Sequence, residues 1–243
     1  MTQNINATKV VKTLEILYAR ISERFPKSGL ASVCSDLLAT AKKTDRRARA
    51  VSRPNFATWI LFVLGGALVV FLYGQVIGNN LPWADMELDG DPLSLTQAIE
   101  SFFNLMILFV GGLYFLSRLE ARGKRQKALD HLHELRSIAH VVDMHQLTKD
   151  PTAILNSSKR TASSPAREMT EFELSRYLDY CTEMLALTGK LAALYGERSK
   201  DAEVINTVND IETLTTGLGT KIWQKIMIIT GTEIEDDMAG LRG

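Results

Sequence analysis

The chain is poor in the residues from which catalytic and redox sites are built. Its 243 residues hold two cysteines, Cys34 and Cys181, with no CxxC spacing, so thiols supply neither a zinc site nor a redox motif. No glycine loop follows a strand to cradle phosphate, and GxSxG and HExxH are both absent, which removes the local signatures of nucleotide hydrolysis, serine hydrolases and zinc proteases. Charge of one sign is also lacking: 28 basic residues balance 28 acidic ones. With 46% hydrophobic residues these averages describe an ordinary soluble protein. No reaction is legible, the protein reads as more plausibly a non-enzyme than an enzyme, and no cofactor is required.

The averages hide a divided chain. From Phe56 to Ile77, FATWILFVLGGALVVFLYGQVI, there is no charged residue, and this length of helix reaches about 33 Å, enough for a bilayer core of about 30 Å. A second run, Ala98 to Leu119, carries charge only at Glu100 and Arg118 and has Asn104 as its strongly polar interior residue. Both runs are expected to span a membrane. The first begins too far into the chain to be a cleaved signal peptide. Two buried core helices of a globular protein are the alternative.

Lys and Arg flank the runs on one side only. Residues 42–53 hold six basic residues against one acid, residues 118–127 hold five against one, and the loop 78–97 has four acids and no Lys or Arg. Basic residues are retained on the cytoplasmic side, so both ends of the chain are expected there and the loop outside. Lys42, Lys43, Arg46, Arg47, Arg49, Arg122, Lys124 and Arg125 would then face anionic lipid headgroups rather than nucleic acid.

Within the apolar runs, Gly65, Gly66, Gly111 and Gly112 fall at similar depth in an antiparallel hairpin, and Gly74 and Gly78 form a GxxxG. All six are candidates for close helix packing. Gln75 and Asn104 would bond across the hairpin or line a wet path, and no charge sits mid-span, which argues against a proton pump or voltage sensor. In the loop, Asp85, Glu87, Asp89 and Asp91 alternate as in the first half of a calcium loop, but Leu93 and Thr96 stand where its later ligands belong. They are a candidate cation-attracting mouth or a solvated acidic turn. Trp83 suits a membrane-surface anchor, and Ser94 to Gln97 a capping box.

The remaining segments read as helices. Val10, Leu14, Leu17, Ile21 and Phe25 make one apolar stripe, and Leu30, Val33, Cys34, Leu37, Leu38 and Ala41 a second, predicting a helical hairpin. Periodicity through Leu132, Leu135, Ala139 and Val142 predicts that the second span runs on as one long helix to Pro151, with Gly123 as a bend. A Ser-rich linker follows. Thr170-Glu-Phe-Glu173 is a capping box opening a helix striped by Leu174, Leu178, Cys181, Leu185, Leu191 and Tyr195. A last helix from Asp201 shows Val204, Val208, Ile211, Leu218, Ile222 and Ile229, with Thr215 interrupting. These two should form an antiparallel hairpin, or a coiled coil between subunits if the stripe stays exposed. Trp223 with Lys221 and Lys225 suits either a membrane-touching helix or the end of a packed one.

All four histidines, His131, His133, His140 and His145, lie within fifteen residues of one another. On a helix His133 and His140 share a face within about 20° but stand about 10 Å apart along the axis, so one ion cannot take both. His133, His140 and Asp143 are candidate metal ligands only if another helix or subunit completes the set. A pH-responsive face and a plain polar face are the alternatives.

The expected fold is therefore an all-α membrane protein: a transmembrane hairpin with cytoplasmic helices in a bundle or coiled coil. Its parts are an N-terminal hairpin with basic segment (1–54), the membrane hairpin (55–119, spans 56–77 and 98–119), an extension (120–150), a linker (151–169) and a C-terminal hairpin and tail (170–243). The expected role is a self-associating assembly or regulatory platform in a bacterial inner membrane, a homo-oligomer with a cytoplasmic protein as a further partner. An oligomeric pore and a metal-dependent membrane enzyme using residues 131–145 are the alternatives.

Overall fold

Short-range capping sets several helix ends. Asn6 Oδ1 accepts from the Thr8 amide at 2.9 Å and begins the first helix, and Ser28 Oγ accepts from the Ala31 amide at 3.2 Å to begin the second. Thr170 and Glu173 form the reciprocal box expected of their spacing. Asp201 Oδ1 takes the Glu203 and Val204 amides at 3.0 and 3.3 Å. Between the first two helices, Lys27 sits at φ 62°, a left-handed conformation that favours glycine.

The computed structural model describes residues 5–52, 56–80, 92–149, 151 and 169–240. Among them are six helices and no strand: α1 (Ala7–Arg24), α2 (Gly29–Ser52), α3 (Phe56–Asn80), α4 (Pro92–Leu147), α5 (Glu171–Gly196) and α6 (Ala202–Gly240). The acidic loop residues Asp85, Glu87, Asp89 and Asp91, Trp83 and the Ser-rich linker fall outside the described residues, as do the side chains of Gln75 and of Ser94 and Gln97. The chain divides into one unit of Met1–Ser52 with Arg125–Gly243 and another of Arg53–Lys124. The segments before and after the apolar runs thus share one unit rather than forming separate parts.

That first unit is a helical bundle with its own core. Both N-terminal stripes are buried as their spacing predicts, except that Leu38 is only partly covered. The bundle half of α4 buries Ala128, Leu132, Leu135, Ala139 and Val142. Directions follow from the contacts. Phe25 packs edge-on against Tyr177 while the Ile5 amide reaches Glu197, so α1 opposes α5. Gly29 meets His145 and Arg47 meets Glu134, so α2 opposes α4. Arg125 pairs with Glu203 and Lys225 bonds Gln146, so α6 runs with α4. Three helices therefore point one way and two the other.

α5 is the centre. Besides the stripe read from its spacing, it buries Tyr180, Leu187 and Leu194 on a further face, with Tyr177 and Met184 in line with Leu191, as a helix packed on more than one side must. It packs against α6 on one side and α1 and α2 on others. The stripes of α5 and α6 cover each other within the chain, so they form an antiparallel hairpin rather than a seam between subunits. Small residues let these two helices approach: a Cβ on Gly189 would stand 2.9 Å from Thr215 Oγ1, and one on Gly196 3.4 Å from Val208 Cγ1. Thr215, which interrupts the apolar spacing, is the residue that faces Gly189.

The unit Arg53–Lys124 is different in kind. Its large apolar side chains face outward on both helices, with Leu64 63%, Val70 73%, Leu108 74% and Phe115 62% exposed. Among the described residues one helix, α4 from Phe103, is long and apolar enough to cross a membrane, and none of its apolar window is buried. The apolar stretch Ile60–Phe71 in α3 is shorter. Where α3 and α4 meet, the Phe109 ring lies against Gly65 and Gly66, 3.5 Å from the Cβ position of each. The two glycine pairs therefore do not face each other. A phenylalanine fills the space the missing side chains leave, and Gly74, Gly111 and Gly112 have nothing within 4 Å.

The close approach of α5 and α6 separates two glycine substitutions. Gly217→Ala, at an open position on α6, should stabilise the bundle by about 0.5–1 kcal/mol through helix propensity. Gly189→Ala should lose that gain, because the new methyl displaces the Thr215 hydroxyl from its bond to the Glu212 carbonyl, and Gly189→Ala with Thr215→Ala should recover it. Thermal melting followed by circular dichroism checks the order. Equal stabilisation by both single variants would contradict the tight seam.

Candidate functional site

The apolar stripe of α2 turns polar in its second half without leaving the core. Thr40, Thr44 and Arg47 continue the four-three spacing of Val33 and Leu37, and Thr40 and Thr44 are buried. They face His131 and Glu134, one turn apart on α4, and Tyr195 in the last turn of α5. Thr40 Oγ1 donates to Glu134 Oε1 at 2.8 Å, and Arg47 Nη1 donates to Glu134 Oε2 at 2.7 Å. Thr44 Oγ1 donates to the Thr40 carbonyl at 2.9 Å. Thr44 and Arg47 act on the Tyr195 hydroxyl from α2, lowering its pKa against the larger effect of burial. Nearby, Arg198 donates to the Asp45 carbonyl and to its Oδ1, both at 2.9 Å, while Arg49 pairs with the same carboxylate.

The electrostatics follow from this crowding. Burial alone would raise the Glu134 carboxyl, but the bonds from Thr40 and Arg47 outweigh it and hold the group below its usual range. Burial, with Arg47 adding to it, lowers the pKa of His131, against the weaker pull of Glu134 and Asp130. Burial pushes the Tyr195 hydroxyl up to about 12, so it stays a neutral donor and acceptor. The arrangement holds no activated nucleophile. Its chemistry is that of a charged, hydrogen-bonded clamp joining α2 to α4, the two helices from which the chain leaves the bundle and by which it returns.

The four histidines have separate fates. His131 lies against Tyr195, 6.1 Å between ring centroids, with Nδ1 4.0 Å from Glu134 Oε2. The His145 ring rests on Gly29 and fills the place of a side chain there. His133 and His140 are exposed and face away from the bundle. Asp143 Oδ1 accepts from Gln146 at 2.6 Å, and Gln146 Oε1 in turn accepts from Lys225 at 2.6 Å. Among the described residues no three His, Cys, Asp or Glu side chains gather where they could hold a metal ion.

Most of the basic residues flanking the apolar runs have acidic partners. Lys42 pairs with Glu15, Arg47 with Glu134, Arg49 with Asp45, Lys124 with Glu120, and Arg125 with Glu203 and more distantly Asp201. Lys43, Arg46 and Arg122 have no ion pair among the described residues. Cys34 and Cys181 are buried, and burial pushes each thiol up to about 12, which suits packing rather than reactivity. Trp223 is exposed on α6 beside a cleft of about 470 Å3 between α5 and α6, lined in part by Thr182, Lys190, Glu212 and Thr220. The hydroxyls of Thr182 and Thr220 already donate to carbonyls of their own helices. The clamp around Glu134 is the feature that spacing misses, because Glu134 stands in sequence among the histidines and Arg47 among the bases expected to face headgroups. The available signal was the continuation of the α2 stripe through Thr40 and Thr44.

His131 carries a pH dependence whose sign follows from its lowered folded pKa. Between that value and the ordinary 6.5 the unfolded chain binds more protons, so stability is present above 6.5 and declines as the pH falls through the window. Melting temperature should drop as pH is lowered from 7 toward 5, and His131→Gln should flatten this part of the profile. Separately, Glu134→Ala should cost about 1–2 kcal/mol at pH 7, since it removes two bonds to a charged group and strands a half-buried guanidinium; an unchanged melting temperature would remove the clamp from the account. No protein-family model, no curated protein and no solved structure matches this chain.

Proposed function

We propose that this chain is a membrane-anchored assembly or regulatory platform: a transmembrane hairpin that holds a cytoplasmic helical bundle at the bilayer and associates with further copies of itself. The observation that carries the reading is the contrast between the two units. One buries its apolar side chains in a core of its own, while the other turns Leu64, Val70, Leu108 and Phe115 outward. A surface of that composition is unfavourable in water by about 25 cal/mol per Å2 and favourable in lipid.

Connectivity supports two crossings over one. The segments before and after the apolar runs fold into a single unit, so they must lie on the same side of any membrane, and an odd number of crossings would separate them. The chain also leaves and re-enters that unit at one end: Asp45, near the end of α2, meets Arg198, and Arg125 meets Glu203, both acidic or basic partners lying next to the turn between α5 and α6. Arg46, Lys43 and Arg122 supply basic charge suited to anionic headgroups. Arg118 bonds the Tyr114 hydroxyl through Nε at 3.0 Å and Nη2 at 2.8 Å, an aromatic and basic pairing suited to the membrane boundary. The excess of Lys and Arg on the bundle side favours the cytoplasmic face of a bacterial inner membrane.

Single-cysteine labelling tests the arrangement. In intact cells a membrane-impermeant maleimide should label Glu87→Cys, while Lys12→Cys and Lys200→Cys should react only after permeabilisation, with the protein remaining in the membrane after alkaline carbonate washing. Release by carbonate, or labelling of Glu87→Cys and Lys12→Cys from the same side, would overturn the hairpin. Mass measurement in lipid nanodiscs tests self-association, which a strict monomer would exclude.

A further inference from the structure

Glu134 has two oxygens, and α2 occupies both. Oε1 takes the Thr40 hydroxyl at 2.8 Å, and Oε2 takes Arg47 Nη1 at 2.7 Å. His131, one turn earlier on the same helix as Glu134, holds Nδ1 4.0 Å from that same Oε2. A neutral imidazole brings no charge to this place, but a protonated one is a second cation beside a carboxylate that Arg47 already neutralises. The other acids nearby are committed: Asp45 to Arg49 and Arg198, and the exposed Asp130 to the Gln126 amide. The groups that act on the imidazole are Arg47 from α2, Glu134 and Asp130 from α4, and, against its ring, the neutral Tyr195 from α5.

We propose that His131 is a proton-operated latch on the end of α2: on gaining a proton the imidazole takes Glu134 Oε2 from Arg47, turning a bond between α2 and α4 into one within α4. The Tyr195 ring, 6.1 Å from the imidazole between centroids, limits where the His131 ring can go. Arg47 has a long side chain that is already 26% exposed, and so a path to water. Two cations at one carboxylate therefore separate by the departure of Arg47, leaving His131 and Glu134 as a pair three residues apart on one helix. α2 keeps the apolar contacts of Leu37 and Ala41 but loses the charged bond that fixes its register. The lowered pKa of His131 agrees in sign, because a closed clamp that resists the proton is opened by it. α2 is the helix by which the chain leaves the bundle, so the proton sets how firmly the segment before the apolar runs is held to the segment after them. The latch does not depend on those runs crossing a membrane.

Hydrogen exchange read by mass spectrometry tests it on the full chain in lipid nanodiscs, at pH 7.5 and 5.5 with rates corrected for intrinsic chemistry. Amides of residues 44–52 should lose protection at the lower pH by on the order of tenfold, the shift one proton supplies a unit below an open-state value of 6.5, while those of residues 178–191 in α5 keep theirs. His131→Gln should hold α2 at both pH values, and His140→Gln, on the outer face, should respond as the parent does. Should His131→Gln loosen α2 even at pH 7.5, Arg47→Gln replaces it: with one cation gone, the response of α2 to pH should disappear. The latch is overturned by unchanged protection of α2 between the two pH values, by a loss that persists without His131 or without Arg47, or by an equal loss in α5.

Discussion

One core has to be closed by two stretches of chain that an apolar insert separates. α1 and α2 come before the insert, the bundle half of α4 and all of α5 and α6 after it, and no one of these could bury its stripe without the others. Because α5 is apolar on most of its circumference, it has to be surrounded, and α1 and α2 supply one side while α6 supplies another. The unit therefore cannot form until the chain has passed through the insert and returned. That requirement bears on the proposed anchoring independently of the length of either apolar run: if the runs cross a membrane, they must do so an even number of times, whichever residues make the crossings.

The polar clamp at Glu134 belongs to the same constraint. α2 and α4 are the helices that lead out of the core and back, and their ends are the places where a bundle would fray. Apolar contact alone is indifferent to small sliding of one helix along another. A carboxylate that takes one bond from Thr40 and another from Arg47 is not, because a shift of one turn would leave a half-buried charge without its partner. Tyr195 adds a third helix to the same set, its ring beside His131. The clamp thus fixes register where apolar packing supplies the larger share of stability.

Much of the bundle was legible because its helices are amphipathic and capped by strong local signals. Val10 to Phe25 and Leu30 to Ala41 were read from spacing, as were the Thr170 box and the long run of α4 past Gly123. What escaped had physical reasons. A helix buried on several faces has no single stripe, so the stripe through Leu174 and Leu185 was seen but not Tyr180 or Leu194. Thr215 interrupts an apolar stripe, and the reason, Gly189 opposite it, lies on another helix. The clamp joins residues far apart in the chain, and no periodicity links Arg47 to Glu134. The glycine pairs were matched by depth alone, but depth does not specify which side of a helix faces its neighbour, and Phe109 took the place against Gly65 and Gly66. For the histidines, spacing sets His133 and His140 on one face two turns apart, but only the packed bundle separates them from His131 and His145.

α4 passes through three environments, and its sequence changes character at each. From Leu105 to Leu119 it is apolar but for Ser117 and Arg118. From Glu120 to Lys127 it is polar all round, with Lys124 paired to Glu120 and Arg125 to Glu203. From Ala128 it is one-sided, apolar toward the core. In the membrane reading the polar collar sets how deep the helix sits. Drawing it inward by one turn would take Glu120 and Arg122 toward lipid, where a charge costs about 2.5–3.5 kcal/mol near the helix centre even on the lenient insertion scale. Pushing it outward would bring Phe115 and Leu119 into water at about 1.5–3 kcal/mol each. Movement in either direction is opposed by terms that are large compared with thermal energy. In that reading the collar, rather than the length of the apolar run, sets where along α4 the lipid-facing stretch ends.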